Sequence, residues 1–341
     1  MKTLRFLVVA FVVLLSAPLA AAEGGAPVVQ VSGFVEALTA LNFEIMNDDT
    51  NDNTPMSIAV PSARVRFNAP LTSWLTANMQ VQGSAVGGGG AVSLAAATVA
   101  MSTTEGDTTY RFEIGRKAVP MGLAGGWNIA PANPFIHRPS LTTDHLGVWT
   151  DEGIYGSILG KSWSVQLYGV EGNNTSVVTN LNPAGNKGKG IAGGLRATAS
   201  LGKALNVGVS YALNGWANGD AAGDNYSIMA GDAALKLGPC TLTYQYLASM
   251  PKFEFDGRKD SWFAQFEFDL KDIAGIPLEP GVRYDYLTSK FLGGSDAATI
   301  LTVQAMYKFE KVLRIGLAYR NGKDASLNKI SDLSLQVVTM F

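Results

Sequence analysis

The sequence is poor in the residues that staple or activate a protein. Cys240 is the only cysteine among 341 residues, so no intramolecular disulfide can form. His137 and His145 are the only histidines. Without a cysteine or a spaced carboxylate partner they do not make a metal site. With Asp144 and His145 adjacent, their side chains diverge on an extended chain, which argues against a water-activating or serine-hydrolase arrangement. Charged residues make up 16% of the chain and sum to −2, a balance that excludes nucleic acid as a partner. Apolar runs are short: beyond Leu15 none approaches the ~18 residues of a membrane helix. No linker and no second domain interrupt the composition.

The amino terminus is a different matter. Lys2 and Arg5 form a basic start, Phe6 to Leu15 an apolar run, and Ala20-Ala21-Ala22 a small-residue site. This pattern predicts a secretory signal peptide over 1–22, leaving 23–341 as one exported domain. No cysteine follows that site, so a lipid anchor is not expected. A large exported chain with no disulfide must find its stability elsewhere.

What remains is alternation. Val29, Val31, Val35, Leu41, Phe43 and Ile45 share one phase of a two-residue repeat, opposite Gln30, Ser32, Glu36, Asn42 and Glu44. The rhythm recurs at Ala63-Val65-Phe67, Leu75-Ala77-Met79-Val81, Leu205-Val207-Val209-Tyr211 and Leu313-Ile315-Leu317-Tyr319. About sixteen such segments follow, most near the ~9–11 residues that cross a bilayer at a tilt. Those around 91–104, 151–160 and 226–237 alternate weakly.

Short turns near 69–73, 105–109, 160–163, 201–205, 237–240 and 309–313 interleave with longer polar loops. The loops fall near 47–56, 119–150, 172–189, 214–225, 250–260, 290–298 and 323–330, with a short one at Gly87 to Gly90. The pattern predicts an all-β fold, a transmembrane antiparallel up-and-down β-barrel of about 16 strands. A soluble sandwich would bury the greasy phase instead. Three features favour the membrane arrangement. Sixteen strands enclose a lumen too wide for side chains to fill. Tyr110, Trp163, Tyr211, Trp262, Phe309, Tyr319 and Phe341 gather at strand ends as interfacial girdles do. Closure leaves no strand edge to protect.

The last strand, Ser331 to Phe341, carries Leu333, Leu335, Val337 and Phe341 on one phase and stops on an aromatic. In a closed barrel it pairs with the first strand, and the terminal Phe341 sits at the interface. Such an ending also resembles the assembly signal of bacterial outer-membrane barrels.

The most specific stretch is RFEIGRKAVPMGLAGG, Arg111 to Gly126. Ile114, Gly115, Val119, Pro120, Gly122 and Leu123 resemble a strand-Gly-x-x-x-Val-Pro-x-Gly segment of the phosphate-selective porins of the O and P type. FIHRPSL (Phe135–Leu141) and DHLGV (Asp144–Val148) resemble the following loop and strand entry. The resemblance implies a 16-stranded channel in the outer membrane of a Gram-negative bacterium, in contact with lipid and lipopolysaccharide and often a homotrimer, passing anions. The chain departs from that pattern where it carries Ala118 in place of a lysine, Met121 in place of an aromatic, and Thr143 in place of an arginine. A phosphate-specific ladder therefore does not transfer, and the expectation is passive diffusion of small anionic or neutral solutes with weak anion preference. No cofactor is expected.

The wall phase supplies the candidate pore-lining residues. Ten basic side chains point inward on this phase: Arg64, Arg66, Arg111, Lys117, Arg196, Lys236, Arg283, Lys308, Arg314 and Arg320. Eight acidic ones do so: Glu36, Glu44, Glu113, Asp232, Glu267, Asp269, Asp285 and Asp332. These charges either bias the pore toward anions or pair across strands and keep the wall wet. Arg64 and Arg66, two apart on one face, are the strongest selectivity candidates. The loop 119–150 is too long to be an incidental connection. Pro120, Pro131, Pro134 and Pro139 stiffen it without helix. It either folds inward as a constriction, with Trp127, His137, Arg138 and Asp144 as candidates, or covers the outer mouth. The rival to a channel is a non-conducting barrel, an adhesin or a scaffold for a partner.

The loop alternation fixes a topology that can be tested. Single cysteines at Asn51, Asn182 and Asp220, in a Cys240→Ala background, are expected to react with an impermeant maleimide on intact cells. Labelling at Gly106 or Lys203 instead would invert the arrangement.

Overall fold

A computed structural model describes residues 28–43, 56–86, 89–123, 132–146, 149–171, 191–214, 226–251, 258–291, 294–310 and 312–341. The alternating segments become sixteen antiparallel strands. The first five are β1 (Gln30–Asn42), β2 (Met56–Pro70), β3 (Leu75–Val86), β4 (Gly89–Glu105) and β5 (Thr108–Ala118). After the long loop come β6 (Thr150–Leu159), β7 (Trp163–Val170), β8 (Ala192–Leu201), β9 (Leu205–Asn214) and β10 (Tyr226–Leu237). The wall is completed by β11 (Cys240–Pro251), β12 (Lys259–Phe268), β13 (Leu278–Phe291), β14 (Gly294–Phe309), β15 (Leu313–Lys323) and β16 (Lys329–Met340). Each strand pairs with its sequence neighbours, and β1 pairs with β16, so the sheet is a closed barrel.

The three weakly alternating segments are strands as well, β4, β6 and β10. Backbone pairing on both sides supplies what their side-chain pattern lacks. The connection expected at 290–298 is much shorter, because β13 runs to Phe291 and β14 begins at Gly294. The loop that was expected to lack helix carries one short turn of it, α1 (Ser140–Leu146). Pro139 precedes that helix, where a fixed φ and a missing N–H cost nothing. A second, α2 (Lys271–Ala274), lies in the connection from β12 to β13.

The two phases part cleanly on β16. Leu335 is 46% exposed on the outer face, while Ser334, Gln336 and Val338 are buried inside. Outward Ile114, Leu167 and Val209 are likewise exposed. In lipid such residues need no cover, and the closed ring satisfies the backbone N–H and C=O groups. Aromatic rings cluster on the outside, Trp262 lying 6.2 Å from Tyr244, 5.5 Å from Tyr284 and 5.6 Å from Tyr286 between centroids.

The seam is closed by the last residue. Phe341 N–H donates to Gly33 O at 3.1 Å, and Gly33 N–H to Phe341 O at 2.9 Å. The Phe341 ring lies over the Gly33 backbone: a Cβ at Gly33 would stand 2.4 Å from ring Cζ and 2.3 Å from Arg64 O. An aromatic thus covers a glycine across the junction of the first and last strands.

Gly33→Ala is therefore expected to displace the Phe341 ring and to cost roughly 1–3 kcal/mol, the usual range for overpacking. The check is the temperature at which the folded band is lost in a heat-modifiability gel. Deleting Phe341 should lower the same midpoint, and the two changes together should cost less than their sum, because they remove one contact.

Candidate functional site

Sixteen strands leave room inside, and the loop between β5 and β6 uses it. Rather than covering the mouth, its described residues lie against the inner wall. The turn at Gly122 has φ +59°, a left-handed conformation, and a Cβ there would stand 2.7 Å from Gln245 Oε1. Both the conformation and the close approach require glycine. Gly122 N–H donates to Ser210 Oγ at 3.1 Å and Leu123 N–H to Gln245 Oε1 at 2.5 Å.

Apolar side chains seal the loop to the wall. Val119, Met121, Leu146 and Trp149 form one buried cluster with inward-facing Tyr155, Tyr168, Ala212, Ile228 and Leu247. Leu141 of α1 packs with Leu287, Ala298 and Ile300. Ile136 packs with Met306 and Ala318, with Leu38 beside them. The inner phase is therefore not uniformly wet. It carries apolar patches where these loop side chains seat, and burying side chains of this size stabilises by ~1.5–3 kcal/mol each.

Polar wall residues take up the loop backbone. Gln304 Nε2–H donates to Pro134 O at 2.9 Å, and its Oε1 accepts from Ile136 N–H at 2.9 Å. Arg314 Nη2–H donates to Asn133 O at 2.9 Å. Arg283 donates through Nη1 to His137 O and through Nη2 to Arg138 O, both at 2.7 Å. In α1, His145 is fully buried between two hydroxyls, Nδ1 2.8 Å from Ser261 Oγ and Nε2 2.9 Å from Ser249 Oγ. Burial pushes its pKa down to about 3, helped by Lys259 and opposed by Asp260, so the imidazole is neutral at physiological pH. His137 is likewise held well below the usual imidazole range, by burial first and then by the charges of Arg320 and Arg283.

Most wall charges expected to line the pore pair with one another. Arg196 makes a bidentate contact with Asp232, at 2.7 and 3.0 Å, and both are buried. Arg283 Nε–H donates to Asp285 at 2.8 Å, with neither side chain exposed at all. Arg320 holds Asp332 at 2.6 and 3.1 Å, and Lys308 pairs with Glu279. Glu113 accepts from both Arg111, at 3.0 Å, and Lys117, at 2.6 Å. Arg196, Arg283, Asp285 and Arg314 thus sit beneath or beside the docked loop and not on an open surface.

Arg64 and Arg66 on β2 differ. Neither forms an ion pair with a described carboxylate. Arg66 is exposed, with the Gln80 amide able to present its oxygen 3.2 Å from both Nε and Nη2. Arg64 lies close enough to feel the charges of Arg138 and Arg66. Arg138 belongs to the loop, and the charge of Glu36 on β1 acts on it. Glu36 is itself engaged, Oε1 accepting from Gln336 Nε2–H at 2.6 Å. Of the loop candidates, His137 and Arg138 lie in the segment held against the inner wall. Trp127 and the side chain of Asp144 lie outside the described residues. The wall amides that hydrogen-bond the loop backbone, Gln245, Gln304 and Gln336, were not singled out by sequence. Their signal was a set of long amides, each on the inner phase of its own strand.

No protein-family model matches the chain, and no curated protein matches it by sequence. Solved structures do. The barrel superposes on OmpT, an outer membrane protein of Vibrio cholerae, with TM-score 0.65 at 12% identity, covering 94% of this chain and all of that one. The outer membrane channel DcaP of Acinetobacter baumannii gives 0.66 at 11%, covering 94% of this chain and 99% of that one. An anion-selective porin from Comamonas acidovorans gives 0.66 at 14%, covering 92% of this chain and all of that one. At these identities the likeness is one of fold: the chain has the barrel architecture of bacterial outer-membrane porins.

Proposed function

We propose that the protein is a passive, water-filled channel of the Gram-negative outer membrane with a weak preference for small anions. The supporting observation is the uneven pairing of charge around the constriction. Six inward cations pair with acids, whereas Arg64 and Arg66 form no ion pair with a described carboxylate, and the charge of Arg138 acts on Arg64. Inside a low-dielectric wall a local cationic excess attracts anions and repels cations. Guanidinium groups also match the oxygens of carboxylate and phosphate groups.

The wall outside this cluster is close to neutral, so the preference is modest and not phosphate-specific. Cleavage of a leader near Ala22, contact with outer-membrane lipid and lipopolysaccharide, and assembly as a homotrimer complete the reading. Trimeric neighbours, among them a structure of the Vibrio cholerae protein titled as its trimer form, support the last point.

Replacing both Arg64 and Arg66 with glutamate changes the local charge by four units. In a planar bilayer under a salt gradient, the wild-type reversal potential is expected on the anion side. The double substitution should carry it across zero to the cation side. Both values should shrink at 1 M salt, where the screening length is ~3 Å. A cation-preferring wild type, or an unmoved potential in the variant, would remove these arginines from the conducting path. Absence of any conductance would favour a scaffold barrel instead.

A further inference from the structure

Arg283 stands apart from the other wall arginines. Its side chain has no exposure, so it cannot meet a permeating solute. Yet it is the wall residue whose guanidinium grips the peptide carbonyls of the constriction itself. The two terminal nitrogens donate to consecutive carbonyls, His137 O and Arg138 O, each at 2.7 Å. The third direction, Nε–H, is taken by Asp285 Oδ2 at 2.8 Å, from two residues along β13. The Phe135 ring covers the guanidinium face, its centroid 4.9 Å from Cζ.

This geometry has two consequences. A planar fork that binds two successive carbonyls fixes the direction of the peptide between them, which a single donor cannot do. The two peptide groups so held lie on either side of the Arg138 Cα, from which its side chain departs. Second, Asp285 neutralises the clamp. The pair therefore places almost no net charge in the barrel, and its effect on ions is one of position, not of field.

Other wall contacts hold earlier parts of the same segment. Arg314 takes Asn133 O, Gln304 takes Pro134 O and Ile136 N–H, and Gln336 Nε2–H reaches Ile136 O at 3.4 Å. Arg283 holds the Arg138 carbonyl from the wall at 2.7 Å, and Ser140 Oγ–H donates to it from within the loop at 3.4 Å. The residues of this segment before α1 make bends and no regular ladder. Their backbone groups depend on the wall side chains for partners, as buried peptide groups must find them.

We propose that Arg283, neutralised by Asp285, is the positioning residue of the channel's selectivity: by clamping the His137 and Arg138 carbonyls it sets where the Arg138 guanidinium stands against Arg64. The inference rests on the reading of Arg138 as part of an anion-preferring constriction.

The test separates the two. Arg138→Gln alone examines the constriction and should move the reversal potential toward zero. The paired substitution Arg283→Met with Asp285→Asn leaves net charge unchanged. It should nonetheless remove at least half of the anion preference that Arg138→Gln removes, with a folded, heat-modifiable barrel. Introduced into the Arg138→Gln background, the same pair should add little, because a positioning residue has nothing left to position.

Arg283→Lys provides a milder variant should the pair fail to fold. It keeps the charge beside Asp285 but has one nitrogen, which cannot hold two carbonyls in a fork. It too should lower the anion preference at unchanged net charge. If Arg138→Gln shifts the potential while both Arg283 variants keep the wild-type value, the positioning role is wrong and the constriction stands. An equal shift from the pair with and without Arg138 would also overturn it. No shift from Arg138→Gln sinks both.

Discussion

Peptide groups facing hydrocarbon must find partners within the protein, and a sheet does this completely only when it closes. Everything else about this chain follows from that closure. The first and last strands have to meet, so the carboxyl terminus is held in the wall, where Phe341 exchanges two backbone hydrogen bonds with Gly33. The ring over Gly33 then substitutes for the side chain that position cannot carry. A chain with a single cysteine, Cys240, acquires its constraint from the ring of ladders and not from a disulfide.

Closure at sixteen strands creates the second problem, an interior too wide for wall side chains to fill. The chain solves it with its own loop. Trp149, Leu141 and Ile136 each seat in a separate apolar patch of the inner wall, and glutamines and arginines satisfy the loop backbone between them. The inner wall is thereby covered where the loop docks, while Arg66 of β2 remains exposed. Buried ion pairs of this kind contribute little net stability but lose much when one partner is removed. That asymmetry suits anchors such as Arg283–Asp285, which hold a definite loop geometry.

Much of the fold was legible residue by residue. The two-residue phase of Leu333, Leu335 and Val337 identifies the outer face of β16, since a one-residue slip would turn every side chain over. Weak segments such as 151–160 were legible chiefly by their place between stronger neighbours, because a ladder binds backbone, which all residues share. The inner face was less legible. Ile228, Phe263, Ile300, Met306 and Val338 occupy the phase expected to be wet. Ile228, Ile300 and Met306 pack with the loop, which is distant in sequence, and Val338 packs with Phe34 of β1. The motif around Gly122 was visible, but the partner that makes glycine necessary there, Gln245, lies more than a hundred residues away.

The sequence by itself determined the approximate strand count, the two-residue sidedness of the strands, the terminal aromatic and most of the inward charges, Glu279 and Asp151 being missed. These are local properties: each depends on a residue and its neighbours two positions away. Which of those charges remain available was decided only by tertiary structure. Arg64 and Arg283 are equivalent in pattern, each an arginine on the inner phase of its strand. One is left facing Arg138 without a described ion-pair partner, while the other is fully buried as a clamp on the loop. The physical reason is that pairing and burial depend on which groups the closed barrel and its inward loop bring within hydrogen-bonding distance, and periodicity along one strand carries no record of that.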